Sequence, residues 1–197
     1  MARLRTIEYD QKRDAIKGVS TKLFSDTGYH ATSMSQVAFA CGISKGLLYH
    51  YYVSKEALLF DILYTHLVEL LAAVKACNDP EIDAEEQLGI IILALLDNYH
   101  DKDKEHRIQI HELPHLPAEK QKILRDMERE IVEPVNNIML KILSGNANKD
   151  LFAKPSTMTL FGMINWCFLW LRPDGKMNRQ EYAKFVTRLF LYGIHAV

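Results

Sequence analysis

Two groups of residues in this 197-residue chain have types and spacings that could do chemistry. The first, His111-Glu112-Leu113-Pro114-His115, matches the His-Glu-x-x-His string of zinc peptidases. That chemistry needs both histidines on one helical face to hold the ion, with the glutamate as general base. Pro114 stands between them, lacks an amide N–H and breaks the very turn that would align them, and Pro117 follows closely. No third ligand is identified, and a chain with 8 histidines readily produces such a string by chance. A zinc hydrolase using His111, Glu112 and His115 is therefore disfavoured, as is a looser metal site drawn from His100, His106, His111 or His115. No catalytic residue, metal or cofactor is expected. Cys41, Cys77 and Cys167 are widely spaced, form no Cys-x-x-Cys pair, and read as buried reduced thiols on apolar helix faces.

The second group is Ser44, Lys45, Gly46 and Leu47, with Tyr49 and His50 just beyond. On the outward side of a helix such residues would meet the major groove of DNA. Their placement depends on two short helices. Ser33 can cap the first, whose apolar face is Val37, Ala38 and Cys41. Ala38 permits close approach, Gly42 can take the left-handed turn conformation, and Ile43 plugs the corner. Ser44 caps the second helix and Leu48 points inward, which leaves the polar group facing out, as on a helix that enters the major groove. An amphipathic helix pair with a glycine turn also occurs as plain packing in all-α proteins.

The surroundings favour DNA reading. A helix ends in Phe24-x-x-x-Gly28-Tyr29, a Thr32-Ser33 cap follows, then Ala38-x-x-x-Gly42, then Tyr49-x-x-Tyr52 and Lys55. This block of about 50 residues closely resembles the tetracycline-repressor (TetR) family of transcriptional regulators. Tyr52 stands where phenylalanine is commoner. The resemblance implies that Thr32, Ser33, Tyr49, His50 and Lys55 meet mainly phosphates, and that Ser44, Lys45, Gly46 and Leu47 lie at base edges.

Composition agrees. At 48% hydrophobic the chain can bury two modest cores. Residues 1–60 hold eight Lys or Arg against five Asp or Glu, whereas 61–197 hold sixteen against twenty, so the basic excess sits in the reader. No uninterrupted window of 18 apolar residues occurs and the longest apolar run, Ile90 to Leu96, is short, which predicts a soluble, cytoplasmic protein without membrane contact. Breaks at Asn78-Asp79-Pro80, His111 to Pro117, Ser144-Gly145-Asn146 and Arg172-Pro173-Asp174-Gly175 separate helical patterns. Helices are expected near 7–27, 33–40, 44–50, 54–77, 83–100, 103–112, 117–143, 155–171 and 178–195, the seventh kinked at Pro134. The predicted fold is all-α with about nine helices: a helix-turn-helix DNA-binding domain over 1–54 and a larger ligand-binding and dimerisation domain over 55–197. The 54–77 helix serves both.

A second stretch, Gly162-x-x-Asn165-Trp166 to Trp170-x-x-Pro173-x-Gly175, is similar to TetR-type repressors that sense acyl-coenzyme A thioesters, as is Leu116-Pro117-Ala118-Glu119. Some relatives carry an arginine where Leu169 stands. An acyl chain needs an apolar slot, for which Leu95, Tyr99, Met139, Phe161, Trp166 and Phe168 are candidate walls, each with ordinary core as its plain alternative. Arg107, Arg125, Arg129 and Arg172 are candidate cations at its mouth. The last two helices are apolar on more than one side and so need further partners. Leu160, Ile164, Phe168, Leu171, Phe185, Leu189, Tyr192 and Ile194 are expected to form a four-helix seam with a second copy. The expected partners are thus a double-stranded DNA operator, a small-molecule effector and a second copy of the chain.

Overall fold

The computed structural model describes residues 2–77, 79–100, 102–172 and 174–194, with side chains described from Ile7 to Gly193. Asn78, Pro173 and the Ile194 side chain, used above, lie outside the described residues. Among those residues the chain forms nine α-helices and no strand: α1 (Ala2–Thr27), α2 (Met34–Ala40), α3 (Lys45–Tyr51), α4 (Lys55–Ala76), α5 (Ala84–Asn98), α6 (Asp103–Glu112), α7 (Ala118–Ile142), α8 (Lys149–Asn165) and α9 (Arg179–Ile194). Short 3-10 turns cover Leu113–His115 and Cys167–Leu169.

Two compact units divide the chain, residues 1–67 with 102–125, and residues 68–101 with 126–197. In the first, Ile16 and Phe24 of α1, Val37 and Ala38 of α2, Leu48 of α3, and Leu58, Leu59 and Ile62 of α4 are buried together, and α6 packs on α1. A polar tie joins α1 to α4 beside the end of α3. Tyr52 Oη donates to Asp61 at 2.6 Å, Arg13 Nε donates to Tyr52 Oη at 3.3 Å, and the Arg13 guanidinium reaches Asp61 at 3.0 Å. The tyrosine in the position where phenylalanine is commoner is therefore used through its hydroxyl. Burial, reinforced by the bond to Asp61, raises its pKa and keeps it neutral.

In the second unit α5 and α9 form the main helix pair, burying Leu88, Ile91, Ile92, Leu95 and Leu96 along with Tyr182, Ala183, Val186 and Phe190. Met139, Leu160, Phe161 and Ile164 are buried in the same unit. Tyr99, 1% exposed, donates its hydroxyl to Asn165 Oδ1 at 2.6 Å. By length and composition α4 alone among the described helices could cross a membrane. Its Leu58, Leu59, Ile62, Leu63, Leu67, Leu70 and Val74 are instead buried in the protein.

The expected start of α8 at Pro155 is corrected to Lys149. Proline read as a helix start sits inside the helix, and the carbonyl it leaves without a donor belongs to the exposed Leu151, where water can satisfy it. The same helix stops at Asn165 rather than continuing to 171, and the chain passes through the 3-10 turn Cys167–Leu169. By contrast α7 runs through Pro134 as one helix.

Candidate nucleic-acid interface

The helix pair is built from local hydrogen bonds that the sequence specifies. Ser33 is extended at φ −98° and its Oγ accepts the Gln36 amide at 3.2 Å, while Gln36 Oε1 accepts the Ser33 amide at 2.7 Å. This reciprocal box satisfies two N–H groups that a helix start leaves open. At the other end Gly42 takes φ +64°, a conformation costly for any residue with a Cβ. Its amide donates to Phe39 O at 3.0 Å and the Ile43 amide to Ala38 O at 3.0 Å, closing the turn. Ser44 then caps α3 by accepting the Leu47 amide at 3.1 Å.

From this frame α3 projects almost all of its side chains outward. Leu48 is its one buried residue, whereas Ser44, Lys45, Gly46, Leu47, Tyr49 and His50 are all exposed. The Lys45 ammonium lies 5.9 Å from the Tyr49 ring centroid, and His50 lies edge-on to Tyr9 at 6.3 Å. Gly46 is the most informative of these. A Cβ built there meets nothing within 4 Å and its φ is not positive, so neither packing nor backbone conformation requires a glycine. A glycine costs up to about 1 kcal/mol relative to alanine in a helix interior, and less in a first turn such as this one. The fold does not call for that cost, and it makes sense if another surface approaches the α3 backbone closely.

Two residues assigned to phosphates have roles inside the fold. Thr32 is 2% exposed, and its hydroxyl donates inward to Gly28 O at 2.8 Å, closing the corner after α1. Lys55 Nζ donates to Tyr29 O at 2.9 Å and Thr32 O at 3.0 Å and lies 4.3 Å from the Tyr29 ring centroid. Its ammonium therefore braces the α1–α2 corner. Ser33 remains exposed, though its hydroxyl is engaged in the cap. Phe39, 88% exposed on α2, was missed as a surface residue. The signal was available, because a count that turns Val37, Ala38 and Cys41 inward leaves position 39 facing out.

The expected sensor residues separate less cleanly. Leu95, Tyr99, Met139 and Phe161 are buried, but Trp166 is 59% exposed and is corrected from wall to surface, while Phe168 is half-buried. One groove of about 350 Å³ is lined by Asp97, His100, Leu171, Arg172, Arg179 and others, and a second of about 360 Å³ by Phe152, Pro155, Thr159, Met163, Leu189 and Phe190 among others. The candidate walls line neither. Of the expected seam, Leu160 and Ile164 are corrected to the protomer's own core, at 1% and 0% exposure, and Leu171 is half-buried. Phe185, Leu189 and Tyr192 are 50%, 51% and 75% exposed on one face of α9. Cys41 and Cys77 are only half-buried, yet burial pushes both thiols up, away from thiolate character.

A capped helix-turn-helix with an outward polar face, in an all-helical chain that forms a second unit, has the architecture of a DNA-binding regulator. The family models place it further. Residues 18–62 match the bacterial regulatory proteins of the tetR family, and residues 81–194 match the tetracyclin repressor-like C-terminal domain. The chain belongs to the tetR family of transcriptional regulators. The transcriptional repressor KstR2 of Rhodococcus jostii is 24% identical over 188 residues, 93% of this chain and 91% of that protein. The transcriptional activator FasR of Mycolicibacterium smegmatis is 27% identical over 99 residues, so the match spans 50% of this chain and 45% of that one. A TetR-family regulator from Bordetella parapertussis superposes with a TM-score of 0.86 at 32% identity, covering 94% of this chain and 96% of that one. AibR in complex with isovaleryl coenzyme A and operator DNA superposes at 0.75 with 24% identity, covering 90% and 97%, a likeness of fold.

Proposed function

We propose that this DNA-binding regulator is a homodimeric repressor whose two α3 helices read a palindromic operator, and that a small apolar effector releases it. The observation that carries the reading is the outward face of α3, where Leu48 is the one buried residue and Gly46 answers no need of the fold. Residues 1–54 act as reader and 55–197 as sensor and dimerisation domain, working in the cytoplasm. Ser44, Lys45, Gly46 and Leu47 meet base edges, and Ser33, Tyr49 and His50 meet phosphates. A twofold dimer places the two recognition helices roughly 34–36 Å apart or somewhat more, and a change in that distance weakens binding. The exposed face Phe185, Leu189 and Tyr192 supports dimerisation through α9, because a contiguous apolar face on a monomer is costly to leave in water.

Acyl-coenzyme A thioesters are the first effector class to test. Support comes from the resemblance in residues 162–175 and from the thioester bound by AibR, whose fold this chain shares. Arg172 lines a groove in the second unit, where its guanidinium could meet a phosphate group.

The test selects duplexes from a random library and titrates the winner in gel shifts at fixed salt, with and without a panel of thioesters. Lys45→Ala and Tyr49→Phe should weaken binding while native mass spectrometry still reports a dimer. Lys45→Ala should also lower the salt slope by about 1 if it neutralises one phosphate, and leave the slope unchanged if it reads bases. Undiminished affinity in both variants defeats the assignment of α3, and indifference to every thioester defeats the effector class alone.

A further inference from the structure

We propose that His30, Glu112 and His115 form a binding site for a divalent transition-metal ion of the zinc class, linking the α1–α2 corner to the end of α6 within the first unit. Each residue offers one ligand atom, and these atoms all lie within 4.8 Å of one another. His115 Nε2 is 3.5 Å from Glu112 Oε2, and the His30 and His115 rings meet edge-on at 4.1 Å between centroids. Tetrahedral zinc, with bonds of about 2.0–2.2 Å to nitrogen and oxygen, needs ligand atoms roughly 3.4 Å apart. The Glu112–His115 pair already has that spacing. Bringing the third ligand in requires roughly 1 Å of side-chain movement, which the exposed imidazoles of His30 and His115 can make.

The sequence string and the structural cluster differ in an instructive way. His111, the first histidine of the peptidase pattern, is not one of the three. The helix stops at Glu112, and the 3-10 turn Leu113–His115 brings His115 back to Glu112 at i, i+3, so the proline that spoils the peptidase geometry forms part of a different one. The third ligand comes from a loop more than eighty residues away, which no local motif could reveal.

A second, independent observation points to the same place. Tyr29 is 3% exposed, and its hydroxyl has no hydrogen-bond partner. Its ring stacks near His115 at 6.3 Å and 14° and packs edge-on against His30 at 5.4 Å. A buried unsatisfied hydroxyl calls for a missing partner. Water on the bound ion would supply one, in the outer position where metal ligands commonly find support. The corner is also held in place, because Lys55 grips the carbonyls of Tyr29 and Thr32 on either side of His30. Two imidazoles and one carboxylate favour zinc, cobalt, nickel or copper over magnesium or calcium, which prefer oxygen alone.

An ion here ties the loop that leads into α2 to α6, and so provides a second input to DNA reading. That consequence rests on the DNA-binding reading, whereas the site itself does not. The alternative is a Glu112–His115 ion pair with packed rings and no metal affinity.

The experiment uses the full chain without an affinity tag, stripped with a chelator, reduced, and titrated with zinc against a chromophoric competitor. We expect one zinc per chain, unaffected by excess magnesium. Binding should weaken at least about tenfold in His30→Ala, His115→Ala and Glu112→Gln and stay unchanged in His111→Ala. Cobalt in place of zinc should give weak visible bands without the intense near-ultraviolet absorption of a thiolate complex. Substoichiometric binding, full affinity in His30→Ala, loss in His111→Ala, or a thiolate spectrum would each overturn the site. Gel shifts with and without zinc on the selected duplex test the consequence. A chain that binds no duplex removes the DNA reading and leaves the zinc titration to stand or fall by itself.

Discussion

The two units present opposite kinds of outward surface. In the first, α3 turns a cation, hydroxyls and an imidazole outward and keeps one leucine inside. In the second, α9 keeps Tyr182, Ala183, Val186 and Phe190 inside and turns Phe185, Leu189 and Tyr192 outward. A polar outward face built on firm caps is stable in water and can wait for a charged partner. An apolar one is not, and its exposure in a single protomer marks a surface completed by something apolar. The contrast is what the proposed reading requires, with nucleic acid meeting α3 and a second copy of the chain meeting α9.

Substitutions that separate anchor from face put this to the test. Leu48 is 0% exposed and the one buried residue of α3, so Leu48→Ala removes the helix's main apolar anchor, leaving the Tyr51–Tyr9 stack, and should cost about 2–5 kcal/mol. Thermal denaturation should show a lowered melting temperature, and DNA affinity should collapse with it. A variant of undiminished stability would mean that α3 is held by something other than Leu48.

On α9 the opposite pattern is expected. Leu189→Asp and Tyr192→Asp change half- or fully exposed positions, so the protomer should keep its helical signal. Burying a charge in an apolar seam costs a few kcal/mol, so the dimer dissociation constant should rise about a hundredfold. Sedimentation at several concentrations reads this directly. An unchanged dimer would move the interface elsewhere and leave the apolar α9 face to an effector or another protein.

The same contrast explains what could be read in the sequence. Caps and turns are local, so Ser33, Ser44, Gly42 and the inward Leu48 follow from residue type and spacing alone, and the helix pair was legible almost residue by residue. The bracing roles of Thr32 and Lys55 were not legible because they depend on contacts that fold back on the α1–α2 corner, with Lys55 reaching 26 and 23 residues along the chain. In the second unit leucine, isoleucine and phenylalanine look alike whether they face the protomer's core, a second copy or a ligand. Leu160 and Ile164 proved to be core and Tyr192 surface, although all three fit one apolar pattern. Proline has two readings, helix start or tolerated interior, and at Pro155 only the solvent exposure of Leu151 distinguishes them.

Acid should strain the first unit specifically. His66 is 2% exposed, neither ring nitrogen has a hydrogen-bond partner, and burial, with help from nearby His106 and Lys102, pushes its pKa down to about 3. The unfolded chain takes up this proton near the usual histidine value of about 6.5, which the folded chain refuses until about 3. Stability is therefore complete above about pH 6.5 and falls as pH drops through that window, by about 2 kcal/mol at pH 5 from this residue. Denaturant titrations at pH 7 and pH 5 should show a smaller acid loss in His66→Leu than in the parent chain. Equal losses would place the acid sensitivity elsewhere.

The smallest effect discriminates most sharply between a face made for folding and one made for binding. Gly46→Ala adds a methyl where nothing lies within 4 Å, in the first turn of a helix that tolerates alanine. If α3 serves only to pack, the change should be a plain gain of less than about 1 kcal/mol with no other consequence. If α3 lies against DNA, the same methyl occupies space that the partner needs. Stability should then rise by that amount while operator affinity falls. Opposite signs from one substitution exclude a general loss of structure as the cause of weaker binding, an ambiguity that Leu48→Ala cannot resolve. A stabilised variant with full affinity would place the DNA backbone away from Gly46 and leave Lys45 and Tyr49 to account for recognition.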